Sequence, residues 1–130
     1  MLRTLLATIL FAATALPASA TTFRAENGVT VTGEGSRFSV PNGAGFGARG
    51  AWCAAADYAR DVLGAAGTDR IYVAKARANG RAPIHFTLDP TGLTPRAVFI
   101  LGASLRQPGG NLSVDHARSF CADYRLIRHQ

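Results

Sequence analysis

Gly45, Gly47 and Gly50 stand at the spacing G-x-G-x-x-G, with Arg49 between the last two. Glycine lets a backbone come close to a phosphate, and a helix that follows offers unpaired amides and a partial positive charge. Gly45, Gly47, Arg49 and Gly50 therefore form a candidate anion-binding loop. A dinucleotide does not suit it. The strand before it belongs to a hairpin, and Asp69, the acid about twenty positions on, begins a strand where the nucleotide motif needs one to end. The expectation narrows to phosphate or a carboxylate.

His85 and Asp89 project to the same face of an expected strand and make a weaker polar pair, of the general-base kind. Four residues of strand separate them by about 13 Å, so a direct hydrogen bond needs the chain to bend. Asp115 and His116 suit the capping and dipole of a helix start. Asp57 and Asp61, one turn apart, could pair for sugar hydrolysis, but are expected on a solvated helix face. Ser104, in Gly-Ala-Ser-Leu, lacks the G-x-S-x-G frame of a nucleophile elbow. No H-x-x-x-H or C-x-x-C occurs, so neither a metal site nor a cofactor is expected. The two cysteines, Cys53 and Cys121, most simply form one disulfide. It would close a loop of nearly seventy residues, worth about 4 kcal/mol in the chain-entropy model.

The elements that must position these residues centre on the stretch from Gly45 to Gly64. On a helical wheel, Ala55, Ala56, Ala59, Val62 and Leu63 cluster around Trp52, an apolar stripe that faces a core. Gly64 suits a left-handed helix end. Before this helix, Val29 to Val40 reads as a hairpin turning at Glu34-Gly35, with Val31 opposite Phe38. After it, residues 69–78 read as a strand, and Asn79-Gly80 gives a second hairpin that sets Val73 opposite Phe86 and Tyr72 opposite Thr87. Pro83 argues that the strand after this turn is an edge, or pairs on one side only there. Ala97 to Ala103 is an unbroken apolar run, the look of a strand buried on both faces. Ser113 can cap a second helix carrying Val114, Ala117, Phe120, Cys121 and Tyr124 inward. Residues 125–130 are left as a short strand or frayed tail. The fold class expected is α+β: a two-layer, mostly antiparallel five-stranded sheet in the order ββαβββα, with both helices on one face joined by Cys53–Cys121.

Composition bounds the rest. Residues 1–20 read as a signal peptide: a positive start at Arg3, an apolar run from Leu5 to Leu16, and the small-residue site Pro17-Ala18-Ser19-Ala20. Residues 21–130 then form one small domain. It carries thirteen basic against eight acidic residues, a net charge of +5, with the arginines scattered singly. No basic run suggests nucleic acid. The segment Trp52 to Ala59, WCAAADYA, resembles small uncharacterised secreted proteins of alphaproteobacteria. The resemblance covers a short motif and brings no activity. The expectation is a periplasmic or secreted, non-enzymatic domain that binds a protein partner or an anionic envelope component. A small hydrolase using a His/Asp pair and a structural or stress-protective envelope protein are the alternatives.

Overall fold

The computed structural model describes residues 14–16, 19–42 and 47–130. The expected leader thus lies mostly outside the described residues, and so does Gly45. Among the described residues no helix is long and apolar enough to cross a membrane.

The fold is α+β. Six strands, β1 (Thr21–Arg24), β2 (Thr30–Glu34), β3 (Arg37–Val40), β4 (Arg70–Val73), β5 (Ile84–Thr87) and β6 (Asn111–Ser113), form one antiparallel sheet in the order β1-β2-β3-β5-β4-β6. Helix α1 (Gly47–Asp61), the single turn α2 (Leu101–Ser104), α3 (Val114–Ser119) and α4 (Cys121–Arg128) supply the second layer. Alternation along the strands sends Val31, Phe38, Val40, Ile71, Val73, Ile84 and Phe86 into the core beneath α1. Aromatic rings bridge the layers: Phe23 and Phe38 pack on Tyr58 with centroids 6.0 and 4.7 Å apart, and Phe86 meets Trp52 edge-on at 5.1 Å. Trp52 is fully buried, as its place on the helical stripe requires.

Cys53 and Cys121 form the expected disulfide, with Cα atoms 5.0 Å apart and 68 residues between them in sequence. Gly64 closes α1 at φ +67°, where Ala65 N–H reaches the Ala59 carbonyl. Ser113 caps α3 by accepting the His116 amide at 3.2 Å. The second hairpin keeps its expected register, Val73 opposite Phe86 and Tyr72 opposite Thr87.

Several expectations are corrected. Among the described residues the sheet has six strands, because Thr21–Arg24 adds one beside β2. The first hairpin turns one residue later, so Gly33, not Val31, faces Phe38. The paired residue moves by two positions, which leaves the inward and outward faces unchanged. β5 is interior, between β3 and β4, with Pro83 just ahead of its first residue. The strand expected over 69–78 is only Arg70–Val73. The chain ends in helix as far as Arg128, where a strand or frayed tail was expected. The apolar run Ala97–Ala103 is no strand. The slot beside β4 is filled by β6, through Arg70–Ser113, Ile71–Leu112 and Tyr72–Asn111. Val98 and Leu101 pack on the core, while Phe99 and Ile100 stand out at 92% and 70% exposure.

Candidate functional site

Among the described residues the helices lie on one side of the sheet, and the other face carries no helix. The same alternation that buries Val31, Phe38 and Phe86 turns Thr32, Ser39 and His85 outward. Register then aligns them: Thr32 is opposite Ser39, and Ser39 is opposite His85. A parallel row holds Glu34, Arg37 and Thr87, also matched across the ladder. The chain leaving β5 bends over this face. Thr87 Oγ1 accepts the Asp89 amide at 3.0 Å, and Asp89 Oδ1 accepts the amide and hydroxyl of Thr91 at 3.0 and 2.6 Å. Together with Lys75, these residues enclose an open groove of about 520 Å³.

The bend brings His85 and Asp89 to the same groove, yet among the described residues no hydrogen bond joins them. Asp89 is spent on its own turn: the Thr91 hydroxyl, then its amide, holds the carboxyl below the usual range. Burial, and next the Lys75 ammonium, pushes His85 below its ordinary value and keeps the ring neutral near pH 7. Ser39 is the neighbouring hydroxyl, and it leans toward the Thr32 carbonyl at 3.5 Å. The groove thus holds a neutral imidazole, hydroxyls, and charges of both signs, without an aligned nucleophile, base and orienting acid.

The charges divide by side. Four ion pairs lie on the helical side: Arg49 with Asp123, Arg60 with Asp61, Arg118 with Asp57 and Arg125 with Glu26. Among the described residues, Glu34, Arg37, Lys75 and His85 on the open face make no ion pair or side-chain hydrogen bond. Polar groups left unpaired in a concavity are available to a ligand.

The glycine-rich loop looks different once its partners are in place. Arg49 grips both oxygens of Asp123, through Nε and through Nη2 at 3.0 Å, and lies 4.6 Å above the Phe120 ring. That fork is already occupied by an internal carboxylate, which raises the Arg49 pKa and lowers that of Asp123. Gly50 is buried, its carbonyl accepting Asn27 Nδ2 at 2.9 Å, and Gly47 takes a left-handed φ of +63°.

Asp57 is not solvated as expected; it is 3% exposed. The turn that follows β1 covers this side of α1, and Asp57 accepts the Glu26 amide at 2.6 Å while Arg118 Nε stands 3.7 Å away. A buried carboxylate persists because these partners replace its water. Asp61 is exposed beside Arg60. Glu26, Asp57 and Cys121 come within 4.8 Å, but the sulfur of Cys121 is bonded to Cys53 and has no thiolate to offer a metal. Ser104 donates to the Leu101 carbonyl at 2.6 Å and accepts Trp52 Nε1 at 3.1 Å, so it serves the core. The His116 ring packs against Phe120 at a tilt, with centroids 5.5 Å apart.

The groove's Ser39, Glu34, Arg37 and Lys75 carry no motif. Their signal in sequence is only the outward half of each strand's alternation, which becomes a site once register lines the strands up. No protein-family model, curated protein or solved structure matches this chain.

Proposed function

We propose that the protein is a small exported, non-enzymatic binding domain that works through the helix-free face of its sheet. One observation carries this reading: four ion pairs tie up charged groups on the helical side, while among the described residues Glu34, Arg37, Lys75 and His85 line an open groove without an ion pair or side-chain hydrogen bond. The apolar leader over residues 1–20 and the Cys53–Cys121 bridge support an oxidising compartment, the periplasm or the exterior. The groove carries both signs of charge, and Ala74 and Leu93 line it beside them, which suits a segment of an envelope protein that mixes polar and apolar side chains. The test is a photo-reactive residue placed at Ser39 in expressing cells, with a second at Arg60 on the helical side as control. A discrete protein adduct from position 39 alone supports the reading. Adducts from position 60 alone, or equal labelling from both, overturn it.

A hydrolase is the second reading, because His85 lies in register with Ser39 and shares the groove with Asp89. Its missing element is a hydrogen bond from acid to imidazole. A panel of ester and peptide substrates turned over by the wild type and not by His85→Ala would favour it over the binding reading.

A further inference from the structure

From Pro90 to Val114 the chain runs 25 residues with no acidic residue, and its only charges are Arg96 and Arg106. Between those arginines lies the apolar run, and the fold divides it. Val98 and Leu101 pack against the core; Phe99 and Ile100, side by side, do not. The tip that bears them is anchored at both ends. On one side the Arg96 amide donates to the Gly109 carbonyl at 2.9 Å. On the other, Ser104 N–H closes on the Ile100 carbonyl at 3.0 Å, and the Ser104 hydroxyl receives Trp52 Nε1 from the core. A frayed loop could turn its apolar side chains inward. This one is held with them outward, and Arg96 and Arg106 are exposed on either side.

We infer that the Phe99–Ile100 tip inserts into an anionic lipid bilayer, with Arg96 and Arg106 resting on its headgroups. The small size of the exposed apolar pair favours a bilayer over a protein partner. Two adjoining exposed side chains cover far less than the roughly 800 Å² per partner of a stable protein interface. A membrane interface accepts such a tip, because apolar insertion and attraction to anionic lipid add together. An aromatic ring beside an aliphatic one, flanked by cations and free of acids, matches the order of a bilayer's layers from acyl chain to phosphate. The inference rests on the export reading alone; it does not need the groove to bind anything.

Vesicle co-sedimentation tests it, using disulfide-intact protein with the same N-terminus in every variant, so that any leader contributes equally. The vesicles are phosphatidylglycerol with phosphatidylethanolamine, and phosphatidylcholine alone. The wild type should bind the anionic vesicles and lose that binding as salt rises. Phe99→Ser/Ile100→Ser should weaken it about tenfold or more, and Arg96→Gln/Arg106→Gln about fivefold for each arginine removed. Leu126→Ser/Ile127→Ser removes the exposed apolar pair of α4 and should change little. The near-ultraviolet signal of buried Trp52 reports whether each variant is folded. The inference is overturned if the wild type does not sediment with anionic vesicles. Binding that survives Phe99→Ser/Ile100→Ser overturns it as well, as does equal binding to phosphatidylcholine.

Discussion

The phenol of Tyr58, on α1, lies across Gly33 of β2 and takes the space in which a side chain there would stand. A methyl at Gly33 would come 2.6 Å from Tyr58 Cζ, closer still to the hydroxyl, and 2.9 Å from Phe38 Cβ. This contact locks helix to sheet at the turn of the first hairpin, beneath the rim of the groove. Gly33→Ala is therefore expected to cost about 1–3 kcal/mol, the range for overpacking a filled core. Tyr58→Phe removes the hydroxyl and leaves the ring carbon, so the double variant should lose less than the sum of the singles. Urea unfolding of all three measures the coupling; a neutral Gly33→Ala would show that the helix does not rest there.

The Cys53–Cys121 bridge joins α1 to α4 and should leave no free thiol in denatured, unreduced protein. Reducing it without mutation should lower stability by about 4 kcal/mol in the chain-entropy model. Two titratable thiols before reduction would contradict the bridge, and a negligible loss on reduction would contradict its weight.

Trp52 is fully buried, with its indole N–H satisfied by Ser104. Trp52→Ala should destabilise by about 3–5 kcal/mol. Ser104→Ala, which strands the indole donor, should cost about 1–3 kcal/mol. Native tryptophan emission should be that of a buried indole. A fully solvated spectrum would contradict the packing.

Acidification should weaken the fold in two steps. His85 has a folded pKa below its ordinary 6.5, so the unfolded chain binds the proton more readily. Its contribution is complete above that value and erodes as pH falls through it toward the folded pKa. Glu26 is held below its ordinary 4.5, first by its hydrogen bond from Arg125. Its contribution is present above 4.5 and is lost as pH falls through the folded pKa. His85→Gln should remove the upper step alone, and Arg125→Gln should diminish the lower one. A stability profile unchanged by His85→Gln would show that the groove does not desolvate the ring.

The sequence made some of this legible and hid the rest for physical reasons. The central helix, the disulfide, the Ser113 cap and the second hairpin's register each follow from local chemistry: a wheel, a pair of cysteines, a capping hydroxyl, an Asn-Gly turn. Asp57 misled because a wheel shows only which side of a helix is polar. It does not show that the turn after β1 covers that side and supplies a backbone amide. Ala97–Ala103 misled because an apolar run states a wish for burial, and β6 had already taken the place beside β4. Arg49 read as a free fork because Asp123, its partner, stands 74 residues away. The groove shows no motif, since Thr32, Ser39 and His85 meet only through the pairing of three strands.

Lys75 is the sole lysine in the sequence, and it borders the groove. Apart from the chain's N-terminus, an amine-specific acylating reagent therefore reports on that groove. The rate of Lys75 acylation, measured by mass spectrometry in intact expressing cells and again on purified protein, tests most directly whether the helix-free face is the working face. The account predicts slow modification in cells and fast modification once the protein is purified, with carboxyl labelling of Asp61 on the helical side equal in both. Equal rates at Lys75 in the two settings would contradict it.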